Sequence, residues 1–151
     1  MGVVEVKTTI RAPAGRCFDL ARSVSAHLSS TEQTGERVVS DVASDLLGPG
    51  DVVTWEATHR GVRQRLTSKI TQFDPPRSFE DEQVAGPFKI FWHRHEFSTT
   101  DDATVMTDLV RYRAPLGPIG SLVERVYLDR YLRSFLERRA ARLRSLAESA
   151  P

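Results

Sequence analysis

The sequence predicts an α+β domain in which a curved seven-stranded antiparallel sheet wraps around a long C-terminal helix, with two short helices after the first strand. Three observations carry this. After Gly35 the chain reads as strand after strand, separated by tight turns. From Ser121 to about Ala147 it contains neither proline nor glycine, and good helix formers dominate. Between the first strand and the rest, Cys17, Phe18, Ala21 and Val24 recur at helical spacing.

Taken in order, Val4–Ile10 alternates Val4, Val6, Thr8 and Ile10 against Glu5, Lys7 and Thr9, the signature of a half-buried strand. Pro13 opens a short helix to about Ser23, a position where its missing N–H costs nothing. Ser25–Ser30 forms a second helical turn, and residues 31–35 make a polar connection. Strands follow over Arg37–Leu46, Val52–His59, Val62–Phe73, Ser78–Val84, Lys89–Ser98 and Ala103–Ala114. Gly48-Pro49-Gly50-Asp51, Arg60-Gly61, Asp74-Pro75-Pro76, Gly86-Pro87 and Thr100-Asp101-Asp102 punctuate them. Parallel strands need long crossovers, so strands joined by such turns are antiparallel. The final helix, about 27 residues, is about 40 Å long at 1.5 Å per residue. Its apolar first half is expected to cross the sheet, with the arginine-rich second half projecting into solvent. A twisted sheet of this size curls, and the helix is the only element long enough to cover its concave face.

Composition fits one soluble domain over residues 1–151. Apolar residues make up 40% and charged residues 27% of the chain, and a domain of this size buries roughly 70% of its unfolded surface without needing a disulfide or metal. The single cysteine, Cys17, has no internal partner and reads as a buried apolar residue. With no secretory segment and no run of about 18 apolar residues, the expected setting is cytoplasmic. Net charge is +1, but nine arginines crowd residues 111–151 against Glu124, Asp129, Glu137 and Glu148. The basic stripe Arg60, Arg63, Arg65 and Lys69 lacks interleaved aromatics, so no nucleic-acid partner is expected.

The order of elements and several short motifs resemble the START-like helix-grip superfamily, which includes birch-pollen-allergen-like proteins, polyketide cyclase/dehydrase proteins and lipid carriers. The motifs are Ala12-Pro13-x-x-x-Cys17-Phe18-Asp19, Gly61-x-x-Gln64-x-Leu66-x-Ser68-x-Ile70, Phe73-x-Pro75-Pro76, Gly86-Pro87-Phe88, Trp92-His93-x-His95-x-Phe97 and Thr107-Asp108-x-Val110-x-Tyr112. The likeness is closest to the small bacterial polyketide cyclase/dehydrase-type members and covers nearly the whole chain. It implies an apolar cavity between sheet and long helix, entered beside that helix, and a small apolar molecule as partner. It implies no cofactor.

Strand alternation sorts the cavity lining. Val53, Trp55, Ala57 and His59 face inward on one strand, and Gln64, Leu66, Ser68 and Ile70 on the next. Phe91, His93, His95 and Phe97 are taken inward, which spares Arg94 and Glu96 from costly burial. On the last strand Met106, Asp108, Val110 and Tyr112 are inward. The expected ligand-binding set is Trp55, His59, Gln64, Leu66, Phe91, His93, His95, Met106, Asp108, Tyr112, Val123 and Tyr127. Within it, His93 or His95 paired with Asp108 is either a satisfied buried polar network or a set of ligand-orienting contacts. A third reading is a general base acting beside a ketide carbonyl, with Tyr112 or Gln64 donating to the oxyanion. No metal is expected, although His93, His95 and Asp108 are of the types that hold zinc. The apolar segment Leu116–Ile119 is a possible transient contact with a membrane or protein.

Overall fold

The computed structural model describes residues 1–149. Strands β1 (Gly2–Ile10), β2 (Arg37–Val38), β3 (Val52–His59), β4 (Val62–Asp74), β5 (Ser78–Ala85), β6 (Ile90–Thr99) and β7 (Thr104–Arg113) form one sheet in the order β1-β7-β6-β5-β4-β3-β2, each neighbour antiparallel. Helices α1 (Ala14–Ala21) and α2 (Val24–Ser30) follow β1. The C-terminal helical run is α3 (Gly117–Val123), a π-helical segment (Glu124–Leu128) and α4 (Asp129–Glu148). The α+β architecture and six of the seven strands lie where the alternation put them. Register shifts in the β4–β5 pairing, between Thr67 and Ser68 and between Ile70 and Gln72, bend the sheet. At one end Phe18 meets Phe73, Phe79 and Phe97 edge-on at 5.3–5.6 Å, closing the core there.

Two expectations fail. Arg37–Leu46 joins the sheet only over Arg37–Val38, and at its far end Leu46 makes a lone antiparallel bridge to Ser23. Beyond Val38, Asp45 turns away to hold the start of α2: its carboxylate accepts from Ser23 Oγ at 2.7 Å and from the Ser25 amide at 2.9 Å, and its carbonyl from the Val24 amide. Short polar side chains of this kind compete with a sheet ladder for the backbone. The long helix is also inverted relative to expectation. In α4, Leu132, Leu136, Ala140, Leu143 and Ala147 recur every three or four residues and are buried against β1, α1 and α2. The arginine-rich half is therefore the packed half, with most of its arginines on the flanks. The first half, from Gly117, leaves Ile119, Leu122 and Val126 exposed.

Candidate ligand cavity

Between the concave face of the sheet and α4 lies a cavity of about 420 Å³, open at one side. Trp55, Ala57 and His59 of β3 and Gln64, Leu66, Ser68 and Ile70 of β4 wall it on one side, with Leu132, Phe135 and Leu136 of α4 opposite. Its mouth is formed by Arg60 and Val62 of the β3–β4 hairpin, Pro87 and Phe88 of the β5–β6 loop, and Tyr127 and Leu128 of the π segment. The hairpin and helix meet across this mouth. Arg60 donates from Nε to the Tyr127 hydroxyl at 2.9 Å, and His59 Nδ1 is hydrogen-bonded to the Tyr131 hydroxyl. Burial pushes the His59 pKa down. Arg60 and Gly61 both have positive φ, 54° and 79°, as the tight two-residue turn requires.

The polar group of the cavity is a buried cluster built by four elements, β5, β6, β7 and α4. His93 Nε2 donates to Asp108 Oδ1 at 2.9 Å, and His95 Nε2 donates to Asp81 Oδ2 at 2.8 Å. From α4, Arg139 reaches Asp108 Oδ1 and the Ala21 carbonyl, at 3.4 and 3.2 Å. Phe79, His95 and His93 stack in sequence, with centroids 4.0 and 3.8 Å apart. His95 Nδ1 lies 3.4 Å from Asp108 Oδ1 without forming a hydrogen bond, and Asp108 Oδ2 is likewise unpartnered. The two imidazoles titrate in opposite directions. Burial, and then the positive charge on His95, pushes His93 down. Burial opposes charge on His95 as well, but Asp108 and Asp81 outweigh it and raise the pKa. Asp108 is held far below the usual carboxylate range. Burial works against that, and the hydrogen bond from His93, the adjacent His95 and the Arg139 charge overcome it. With His95 charged and His93 neutral, the two carboxylates, Arg139 and His95 sum to zero.

Of the residues expected to line the cavity, Trp55, His59, Gln64, Leu66, Phe91, His93, His95 and Tyr127 do so. Met106, Asp108, Tyr112 and Val123 do not. The first three face inward from β7 as alternation requires, but they are fully buried beneath the helical run. Asp108 touches the cavity only through its histidines. The Tyr112 hydroxyl is bonded to Asp129 and lies 3.4 Å from the Glu124 carbonyl, so it fastens the π segment to the sheet. Burial and the Asp129 charge push its pKa up, which makes it a poor proton donor. Val123 sits on the outer face of the helix, one turn before the helix reaches the mouth. The sequence reading missed Asp81 and Arg139. Asp81 alternates with Phe79, and Arg139 falls three residues after Leu136 and four before Leu143, so both periodicities pointed inward.

As a possible cation site, Asp81, His93 and His95 hold ligand atoms within 4.8 Å of one another, with Asp81 in the place expected of Asp108. The two histidines already donate to Asp108 and Asp81, and Arg139 adds positive charge. Both features suit a hydrogen-bonded network better than a metal.

A curled antiparallel sheet closed by a C-terminal helix over an internal cavity is the helix-grip architecture of START-like proteins. The chain belongs to the polyketide cyclase / dehydrase and lipid transport family, whose model matches residues 1–148. Similar solved structures share the fold at low identity. A protein from Thermus thermophilus is 18% identical with a TM-score of 0.75, covering 99% of this chain and 100% of its own. A START superfamily protein from Mycobacterium smegmatis is 11% identical with a TM-score of 0.74, covering 97% of each chain. The Zhui aromatase/cyclase from Streptomyces sp. R1128 is 19% identical with a TM-score of 0.72, covering 97% of this chain and 93% of its own. No curated protein matches the sequence.

Proposed function

We propose that the protein binds one neutral, largely apolar small molecule, of polyketide or lipid type, between the sheet and α4. The carrying observation is a cavity of about 420 Å³ with mostly apolar walls and one buried polar cluster, the usual composition of a small-molecule site. A cluster that already balances its charge favours a hydroxyl or carbonyl over a carboxylate, which would add an unpaired negative charge. The open volume weighs against an interaction module with a vestigial cavity. A cytoplasmic setting suits the lone buried thiol of Cys17.

A second reading, cyclization or dehydration of a ketide, is favoured by one feature. His95 is flanked by Asp81 and Asp108, which favour its protonated form, the form a general acid needs.

Native mass spectrometry of the purified protein, with solvent extraction of what it carries, tests the binding reading. One apolar molecule per chain, or uptake of a hydrophobic dye lost in Leu66→Trp, is the expected result. An empty protein that also takes up no dye would remove it. Turnover of a model ketide that disappears in His95→Phe while binding persists would move the weight to catalysis.

A further inference from the structure

The strand order puts one set of connections at each end of the sheet, and the two ends differ. At the mouth end lie the β3–β4 tip, the β5–β6 loop and the β7–α3 connection. These carry the exposed cations Arg60, Arg63, Lys89, Arg113 and Arg125, while Glu124 is buried and bonded to the Ala114 amide. The loops at the far end carry Asp51, Asp74, Asp101 and Asp102 against Arg11 and Arg77, the latter paired with Asp74. The mouth end also bears the most exposed apolar side chains near the helix. Leu116 is 75% exposed, and Ile119, Leu122 and Val126 are 66%, 59% and 66% exposed. Spacings of three and four residues place Ile119, Leu122 and Val126 on one helical face, opposite the buried Gly120 and Glu124, while Leu116 stands just before the helix. This face is held rigid. A side chain at Gly120 would collide with the Pro115 carbonyl at 2.0 Å, so α3 lies tight against the preceding loop. Leu116 meanwhile adopts a left-handed backbone, φ 74°, that leucine rarely accepts. Lys89, Arg113 and Arg125 line a shallow groove beside Pro118 and Leu122.

We infer that the Leu116–Val126 face and its ring of cations dock the mouth end onto an anionic lipid surface. An apolar helical face flanked by lysine and arginine is the chemistry of interfacial binding. Charge complementarity argues for anionic lipid rather than a second copy, because a two-fold contact would set the same cations against each other. Among the described residues no helix is long and apolar enough to cross a membrane, so the contact is superficial. Val126 adjoins Tyr127 of the cavity mouth, so a ligand could pass between cavity and bilayer without crossing water. That last step alone rests on the binding reading above.

Cosedimentation with vesicles of phosphatidylcholine, alone or mixed with phosphatidylglycerol, tests the docking. The wild type is expected to bind the mixed vesicles and to lose that binding at high salt. The variant Ile119→Ser/Leu122→Ser/Val126→Ser changes only exposed positions and should melt like the wild type, yet lose at least about tenfold in vesicle partitioning. Lys89→Gln/Arg125→Gln should lose about fivefold per charge on mixed vesicles. Wild type left in the supernatant, or a triple-serine variant that binds equally well, would overturn the inference. So would a wild-type dimer that the serine variant converts to monomer, since the face would then belong to a second copy. Dye uptake without vesicles reads the cavity separately. Vesicle binding by a protein that takes up no dye would sink the ligand reading and leave the docking surface standing.

Discussion

The two faces of the sheet each carry a buried carboxylate among basic side chains, and what differs is the exposure of those partners. On the concave face Asp108 is fully buried against His93, His95 and Arg139, which are themselves buried. On the convex face Glu56 is also buried, at 4% exposed, but it lies beneath Arg37, Arg63 and Arg65, all three exposed to solvent. Hydrogen bonds from Arg65 and then Arg37 bring the Glu56 pKa down to about 2. Residue types and contact distances are much alike, yet the energetics differ. Solvent screens the outer cluster and would replace any partner it lost, whereas each inner charge depends wholly on its neighbours. The inner cluster is thus a constraint on the whole core, and the outer one is a modest clasp between β2, β3 and β4.

The largest effect is expected at Asp108. Asp108→Ala leaves Arg139 buried without its partner and should cost about 3–5 kcal/mol in denaturant unfolding. Asp108→Leu/Arg139→Met removes both charges and should recover most of that loss; failure to recover would break the contrast. Next comes pH. Asp81 and Asp108 have depressed folded pKa values, so their stabilisation is present above the unfolded value of about 3.8 and fades as pH falls below it. His95 has a raised folded pKa, so its stabilisation is complete below the unfolded value of 6.5 and is lost as pH rises through the folded value. Both contributions coexist between about pH 3.8 and 6.5. Asp81→Asn should lower the His95 titration in a histidine NMR experiment and flatten the alkaline side of the stability curve. An unmoved His95 would show that Asp108 alone sets it. The smallest change is expected outside: Arg65→Gln should shift Tm by no more than about 2 °C. A larger shift would mean that Glu56 behaves as an interior charge.

This contrast also marks how far the sequence could be read. Period two sorts each strand into two faces, which assigns Gln64 to the concave side, but for His93 and His95 the choice of face rested on sparing Arg94 and Glu96 from burial. Which concave residues meet open space depends on where the helix rests, and strand alternation is silent on that. Met106, Asp108 and Tyr112 have the right face but lie under the helical run. Arg139 was hidden by its type: an arginine inside an apolar stripe reads as a solvated charge until Asp108 is found opposite it. The strand expected over Arg37–Leu46 failed because Asp45 bonds to a distant helix start, a tertiary choice that local propensity does not contain.

The one cysteine gives the molecule an internal clock. Cys17 is 2% exposed, packed under Ala12, and burial raises its pKa, so a thiol reagent cannot reach a thiolate while α1 stays docked. α1 packs on α4, β6 and β7, and Arg139 is bonded to its last residue, Ala21. Labelling of this single site therefore times the opening of the grip itself, and with fast reclosing its rate reports the population of open molecules. A ligand that clamps the sheet to the helix would slow that clock in proportion to its occupancy, without any fluorophore, tag or substituted residue.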